Sequence, residues 1–142
     1  MKFENEKLEQ FNEYIRFRKV AVIGLGVSNI PLLDYLFEKK AQVTVFDERT
    51  INEIPNDIIN KINEYHFETS FGKECLNNLK GFNIIFRSPS CLPTRPELVE
   101  EANRGAIVTT EVGMLMEMCP CKMVGVTGSD GKTTTTSMIA AI

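Results

Sequence analysis

The sequence predicts an α/β fold built around a parallel sheet of five strands that is flanked by helices. Short β-branched runs alternate with helical patterns through residues 20–109. A glycine turn follows the first of these runs, and a second glycine loop lies at residues 127–132. Strands that alternate with helices form βαβ units and therefore a parallel sheet. We place one domain at residues 1–109 and the truncated beginning of a second domain at residues 110–142.

Each element follows from its own local pattern. An amphipathic helix over residues 4–18 opens the chain. The next helix begins at Ser28, whose hydroxyl suits a cap, with Pro31 in its first turn. Strands are predicted at residues 20–23, 43–46, 65–67, 82–86, 106–109 and 124–126. The remaining helices are predicted at residues 56–63, 73–79, 96–103 and 111–118, with another starting after Gly131.

Composition excludes several classes of protein. The 142 residues are 43% hydrophobic and 25% charged, which is ordinary for a globular protein. A net charge of −3 gives no global positive field, so nucleic acid is not an expected partner. No apolar run reaches transmembrane length and no signal region follows the N-terminus, so we expect a cytoplasmic location without membrane insertion. The four cysteines are interpreted as reduced thiols and the single histidine, His66, as structural.

The first glycine loop predicts a phosphate site. Residues 24–29 (GLGVSN) nearly match the dinucleotide fingerprint G-x-G-x-x-G, with Asn29 in place of the third glycine. Asp47 ends the next strand, where an acidic group can meet a ribose. Residues 88–90 end a further strand at the same edge, so these segments predict one crevice for a nucleotide diphosphate. A structural glycine turn, and an ordinary turn at residues 88–90, are the alternatives.

The second glycine loop predicts a triphosphate site of the P-loop kind. Residues 124–134 (VGVTGSDGKTT) suggest a buried strand, a loop and a helix start, with Val126 where the Walker pattern has its first glycine. The turn lets backbone N–H groups face an anion, Lys132 adds a charge, and Thr133 offers a hydroxyl to a nucleotide-bound Mg²⁺. Such a site needs further strands, so we expect the chain to be the front end of a larger enzyme that uses ATP.

Residues 125–134 resemble the ATP loop of the Mur ligase family of bacterial cell-wall synthesis. Residues 22–28, 47–49 and 87–89 are similar to the branch of that family that adds D-glutamate to UDP-N-acetylmuramoyl-L-alanine. The resemblance extends over essentially the whole chain. It implies a ligase of three domains: a Rossmann-like N-terminal domain that holds the UDP end of the substrate, a central domain that binds ATP, and a C-terminal domain that helps to bind the amino acid.

The resemblance also implies roles for individual residues. Val27 and Ser28 would meet the diphosphate, residues 47–49 would frame the uracil, and residues 88–89 would lie along the sugar and peptide. Lys132 and Thr133 would be catalytic, the first on the ATP phosphates and the second towards Mg²⁺. Ser90 and Asn29 depart from the family, which carries glycine there. The implied UDP-sugar residues are Gly24, Gly26, Val27, Ser28, Asp47, Glu48, Arg49, Ser88 and Pro89; the implied ATP residues are Thr127, Gly128, Ser129, Asp130, Gly131, Lys132, Thr133 and Thr134.

The reaction implied by this resemblance is ATP-dependent amide formation in peptidoglycan biosynthesis, a process that supports cell shape and cell division. The γ-phosphate passes to the alanyl carboxylate, and the amine of D-glutamate attacks the acyl phosphate to give an amide, ADP and phosphate. ATP, Mg²⁺, UDP-N-acetylmuramoyl-L-alanine, D-glutamate and the missing central and C-terminal domains are the implied cofactors and partners. The chain by itself is expected to be inactive.

Two other classes of protein fit part of the sequence. An NAD-dependent oxidoreductase or redox-sensing Rossmann domain is suggested by Gly24 and Gly26 with Asp47 downstream, although it leaves the second loop unexplained. The other is a non-catalytic nucleotide-sensing module in which the second loop serves as a docking segment.

Overall fold

The computed structural model describes residues 5–141, which contain five strands, six α-helices and two short 3₁₀ helices. The strands are β1 (Lys19–Ile23), β2 (Gln42–Asp47), β3 (Glu68–Phe71), β4 (Ile84–Arg87) and β5 (Ile107–Thr109). The α-helices are α1 (Glu6–Ile15), α2 (Asn29–Glu38), α3 (Asn56–Glu64), α4 (Pro96–Asn103), α5 (Glu111–Met118) and α6 (Lys132–Ala140). The 3₁₀ helices cover Ile51–Glu53 and Cys75–Asn78.

The predicted five-stranded parallel sheet is confirmed, with the strand order β3-β2-β1-β4-β5. The chain leaves β1 in one direction to form β2 and β3, and then crosses to the other side to form β4 and β5. The strand order therefore reverses beside β1, and open α/β sheets bind their ligands at the carboxyl ends of the strands at such a point.

The sheet is buried on both faces, as the apolar β1 sequence requires. Val20 and Val22 face a core that α1, α2, α3 and α5 cover, and Ala21 and Ile23 face a smaller core beneath α4 and the 3₁₀ helix at Cys75–Asn78. Val20, Ala21 and Val22 are completely buried. This double cover fixes β1 rigidly and thereby the turn that follows it.

Helix α5 packs on the sheet domain. Met114 and Met118 are 7% and 9% exposed and belong to the larger core. The side-chain amide of Asn5, which caps α1, donates to the carbonyl of Met118 over 2.8 Å. The division into domains at residue 110 stays a prediction, and these contacts join α5 to the core of the preceding sheet.

The strand predicted at residues 65–67 is wrong, because β3 begins only at Glu68. Tyr65 ends α3, and His66 has a φ of 55°, which lies in the left-handed region. The N–H of Phe67 donates to the carbonyl of Ile62 over 3.1 Å, so this segment closes the helix. The helix predicted at residues 73–79 is shorter and tighter, a 3₁₀ helix over Cys75–Asn78.

The strand predicted at residues 124–126 is also wrong. These residues form neither helix nor strand, and the side chain of Val124 is 86% exposed. A strand needs a neighbour for its hydrogen bonds, and the part of the chain that is described offers none here. The predicted helix start after Gly131 is confirmed by α6, although no residue of α6 is buried. Among residues 5–141, no helix is long and apolar enough to cross a membrane.

Candidate functional site

A cleft of about 450 Å³ lies at the carboxyl edge of the sheet, beside the point where the strand order reverses. Parallel strands end at one edge, so the residues that follow β1, β2 and β4 meet there. The cleft is lined by Ile23, Gly24, Leu25, Gly26, Asp47, Glu48, Arg49, Cys75, Leu76, Ser88, Ser90, Cys91 and Arg95.

Gly24 makes the turn out of β1 and contacts the wall formed by Ser88. Its φ of +85° lies in the left-handed region, which L side chains rarely adopt. A Cβ at this position would lie 2.8 Å from Oγ of Ser88 and 3.0 Å from its Cβ. Its N–H donates to the carbonyl of Phe46 over 2.7 Å, which extends the β1–β2 ladder by one bond. The turn therefore depends on glycine for two separate reasons.

Asn29 replaces the third glycine of the fingerprint and stabilises the turn through hydrogen bonds from its side chain. Its side chain is 2% exposed, and Nδ2 donates to the carbonyls of Ile23 and Gly24 over 3.0 and 2.8 Å. The predicted cap by Ser28 is wrong, because Ser28 already has helical angles and its side chain makes no capping bond.

Replacing Asn29 with alanine is expected to lower the free energy of unfolding by about 2 kcal/mol, because the carbonyls of Ile23 and Gly24 each lose a hydrogen bond from the buried side-chain amide. Urea unfolding of both chains measures the difference. The exposed Asn77→Ala is the matched control and should change stability by less than about 0.5 kcal/mol. Equal stability of the Asn29 variant and the unsubstituted chain would contradict a bracing role.

The turn places three backbone N–H groups on exposed residues. Val27 is 91% exposed, and Gly26 and Ser28 are exposed beside it. Within residues 5–141, no group accepts a hydrogen bond from the N–H groups of these three residues. They stand at the start of α2, where the helix dipole adds partial positive charge. An anion is the natural partner for such a group of donors.

Asp47 and Arg49 tie the end of β2 to the glycine turn. Oδ2 of Asp47 accepts from the N–H of Leu25 over 2.8 Å, and both carboxylate oxygens accept from the guanidinium of Arg49. The guanidinium also donates to the carbonyl of Leu25 over 3.1 Å. Burial raises the pKa of Asp47, but the hydrogen bonds from Arg49 and Leu25 outweigh it, so the pKa lies below its usual value. The carboxylate is therefore charged and already occupied near neutral pH.

The wall after β4 is held by its own hydrogen bonds. The N–H of Ser88 donates to the carbonyl of Ile23 over 2.9 Å, and the hydroxyls of Ser88 and Ser90 lie 3.0 Å apart. The guanidinium of Arg87 donates to the carbonyl of Cys91 over 3.0 Å. Ser90, which departs from the family pattern, lines the cleft together with Ser88.

Most of the residues predicted for a UDP-sugar site lie together. Gly24, Gly26, Asp47, Glu48, Arg49 and Ser88 line the cleft. Val27, Ser28 and Pro89 do not line it; they are exposed on the loops that border it. The roles of all nine residues in binding stay predictions.

Among the side chains that line the cleft, sequence reasoning missed one charged group, Arg95, and two thiols, Cys75 and Cys91. Arg95 immediately precedes α4, the helix after β4, and the start of that helix lies at the same edge as the carboxyl end of the strand. This position was a usable signal. No feature of the sequence indicated that Cys75 and Cys91 line the cleft. Both cysteines are buried, and burial raises the pKa of each thiol.

The second loop stands apart from the cleft lining. Gly131, with a φ of 75°, precedes α6, and the ammonium of Lys132 donates to the carbonyl of Ser129 over 3.0 Å and to that of Gly128. No cleft-lining residue comes from residues 127–134. In the described chain, no cluster of three or more His, Cys, Asp or Glu side chains is placed to hold a metal. The ATP residues and the Mg²⁺ role of Thr133 stay predictions.

A larger groove of about 1160 Å³ lies at the opposite, amino edge of β1–β3. Phe46, Phe67 and Phe82 contribute apolar surface to it, and Lys19 and Lys80 stand among its charged residues. It contains none of the predicted site residues. The cleft at the carboxyl edge, although smaller, is where the open backbone donors and the strand ends meet, so we take it as the candidate site.

The strand order, the glycine turn and the cleft at the reversal point define a Rossmann-like α/β domain. Within that class, the family described as "Mur ligase MurD-like, N-terminal domain" matches residues 18–110, and the chain belongs to this family.

The chain is similar to curated proteins named UDP-N-acetylmuramoylalanine--D-glutamate ligase. The protein of Ruminiclostridium cellulolyticum is 44% identical over 95% of this chain and 29% of its own length. That of Clostridium acetobutylicum is 40% identical over 91% of this chain and 29% of its own length. The chain thus spans well under half the length of these relatives.

Solved structures agree on the fold. A dipicolinate synthase chain from Bacillus halodurans aligns with 96% of this chain and 50% of its own length, at a TM-score of 0.55 and 18% identity. The corresponding chain from Bacillus subtilis aligns with 96% of this chain and 51% of its own length, at a TM-score of 0.52 and 13% identity. At these identities the likeness concerns the fold alone.

Proposed function

We propose that the cleft at the carboxyl edge binds the UDP part of UDP-N-acetylmuramoyl-L-alanine, as part of an ATP-dependent ligase that adds D-glutamate in peptidoglycan biosynthesis. Family membership and the names of the relatives support the substrate and the reaction. The observation that carries the proposal is the group of open N–H donors at Gly26, Val27 and Ser28, which borders the cleft.

Different parts of the cleft suit different parts of a nucleoside diphosphate. The diphosphate lies against the start of α2, where N–H groups and the helix dipole stabilise negative charge without a lysine. The nucleobase lies towards residues 47–49, which the Asp47–Arg49 network holds in one arrangement. The sugar and peptide follow the wall at Ser88 and Pro89. A prearranged cleft reduces the entropy that binding must remove.

In the complete ligase, residues 127–134 hold the phosphates of ATP, with Lys132 on the phosphates and Thr133 towards Mg²⁺. In the structure the ammonium of Lys132 donates to two carbonyls of its own loop, and α6 buries no residue. ATP binding therefore requires that Lys132 exchange these carbonyls for phosphate oxygens. The reaction follows as phosphoryl transfer to the alanyl carboxylate and attack of the D-glutamate amine on the acyl phosphate.

The nicotinamide alternative fits the cleft less well. A dinucleotide site uses the acidic residue after the second strand to accept hydrogen bonds from ribose hydroxyls. Both oxygens of Asp47 already accept from Leu25 or Arg49. An NAD ribose would have to displace these bonds, and the displacement would loosen the turn that binds its phosphates.

Calorimetric titration of the 142-residue chain tests the proposal. UDP and UDP-N-acetylmuramoyl-L-alanine are expected to bind, and at about one hundred times the dissociation constant each should stabilise the fold by about 2.7 kcal/mol, which moves the melting temperature by several degrees. Mg-ATP is expected to give a much smaller shift. NAD is the matched comparison, since it carries a diphosphate with a different base.

Two outcomes would contradict the proposal. Binding of NAD without binding of UDP would favour the alternative of an NAD-dependent oxidoreductase or redox-sensing domain. Equally weak binding of UDP, NAD and inorganic pyrophosphate would show that the site binds anions without selecting a nucleoside.

A further inference from the structure

An ion pair spans the cleft between two segments that are far apart in sequence. Glu48 follows the last residue of β2, and Arg95 immediately precedes α4. Nη1 of Arg95 donates to Oε1 of Glu48 over 2.6 Å, and both residues line the cleft. Within residues 5–141, this is the one hydrogen bond between residues 48–50 and residues 88–95. The pair therefore connects the wall after β2 to the wall after β4.

Arg95 is held by carboxylates of the protein on two sides. Besides Glu48, its Nε lies 3.5 Å from Oε2 of Glu97, an atom that is buried and accepts no hydrogen bond from the described residues. The positive charge of Arg95 thus lies beside two carboxylates, so the net charge of these three side chains is negative. A free cation aimed at a phosphate would be placed differently, so the geometry favours an indirect role for Arg95.

Arg49, which lines the cleft, and Arg87, at the end of β4, also donate to groups of the protein. Arg49 donates to Asp47 and to the carbonyl of Leu25, and Arg87 donates to the carbonyl of Cys91. Arg49 thus joins the end of β2 to the turn after β1, and Arg87 holds the wall after β4. Arg95 differs because its partner lies on the opposite wall.

We propose that the Glu48–Arg95 ion pair sets the width of the cleft, which makes Arg95 a positioning residue for the uridine end of a nucleoside diphosphate. This inference rests on the proposed function. Residues 88–95 lie between β4 and α4 and contain no helix or strand, so a tie to the opposite wall restricts the positions that they adopt. When only a fraction of the molecules has the binding arrangement, the apparent affinity falls by that fraction.

The test measures UDP affinity of the 142-residue chain by calorimetry. Arg95→Gln is expected to weaken UDP binding about fivefold, because an exposed pair of this kind shifts a conformational balance by about that factor. UMP binding should weaken by the same factor, since the cleft width acts on the uridine and not on the second phosphate. Glu97→Gln is the control: it leaves the Glu48–Arg95 bond in place and should keep UDP affinity within about twofold of the unsubstituted chain.

A double-mutant cycle separates positioning from direct contact. In the Glu48→Gln background, which already lacks the ion pair, Arg95→Gln should change UDP affinity by less than about twofold. A further loss of about fivefold in that background would overturn the inference, and so would a loss in Arg95→Gln that affects UDP but not UMP. Unchanged UDP affinity in Arg95→Gln would overturn the ion-pair role alone, whereas an unsubstituted chain that binds no uridine nucleotide would overturn the proposed function as well.

Discussion

Glu101→Ala is expected to lower the free energy of unfolding by about 3 kcal/mol, because two backbone donors and one guanidinium lose their acceptor. Glu101 is 1% exposed, although it lies on α4, whose neighbouring positions are exposed. Its Oε2 accepts from the N–H groups of Gly81 and Phe82 over 2.7 and 3.2 Å, and its Oε1 accepts from Arg104. The carboxylate thus fixes the loop that leads into β4. Urea unfolding of both chains measures the loss.

Glu100→Ala is the matched control. Glu100 stands next in the chain and also pairs with Arg104, but its side chain is 64% exposed. Exposed pairs contribute little, so this variant should lose less than about 1 kcal/mol. Similar losses in the two variants would show that burial and the N–H bonds at Glu101 do not carry its effect.

The same carboxylate makes stability depend on pH. Burial raises the pKa of Glu101, but hydrogen bonds from Arg104 and from the N–H groups of Phe82 and Gly81 outweigh it, so the pKa lies below its usual value. Such a group stabilises the fold fully above its unfolded pKa of about 4.3, and the contribution disappears as the pH falls through the lower folded pKa. The stability difference between the unsubstituted chain and Glu101→Gln should therefore narrow below about pH 4.3. A difference that stays constant between pH 7 and pH 3 would contradict this assignment.

The sheet could be predicted from the sequence because its central strands carry strong local signals. The β1 run at residues 20–23 is apolar and β-branched, and the run at residues 43–46 has the same character. Both segments became strands within one residue of the predicted bounds. Because helices alternate with these strands along the chain, a parallel sheet was the arrangement to expect.

The two strands that were predicted wrongly show which information a local sequence pattern does not contain. Residues 65–67 are aromatic and look like a strand, yet they close α3, and Phe67 is a partly buried side chain that packs against the larger core. The strand β3 is the next stretch, Glu68–Phe71, at the edge of the sheet. Val124 and Val126 are β-branched, so residues 124–126 look like a strand as well. A strand forms only beside a partner, and among residues 5–141 none stands next to this segment. Pairing is a tertiary property that residue preferences do not contain.

The candidate site was predictable where it depends on strand ends. Gly24, Asp47 and Ser88 each lie where a strand ends, and the topology brings them to one cleft. The position of Arg95 before α4 places it at this edge of the sheet, whereas its pairing with Glu48 depends on the path of the loop over residues 88–95 and could not be inferred from spacing. The tight contact between Gly24 and Ser88, which are distant in sequence, likewise follows from packing alone.

That contact makes Gly24→Ala the substitution expected to disturb the site most. A residue with a side chain at a φ of +85° is strained, and its Cβ would lie 3.0 Å or less from two atoms of Ser88, so the free energy of unfolding should fall by about 2–3 kcal/mol. Thermal unfolding measures the loss. The double variant Gly24→Ala with Ser88→Gly removes the steric part and keeps the strain, so it should recover part of the stability lost in the single variant.

Gly26→Ala is the control that separates the fold from the ligand. Its Cβ would meet no atom within 4 Å and its φ lies outside the left-handed region, so stability should stay within about 1 kcal/mol of the unsubstituted chain. UDP affinity should nevertheless fall on the order of tenfold, because a methyl group would stand between the backbone donors and the diphosphate. If Gly26→Ala binds UDP as tightly as the unsubstituted chain does, the diphosphate does not lie on this turn. If Gly24→Ala is as stable as Gly26→Ala, the contact with Ser88 does not constrain the cleft.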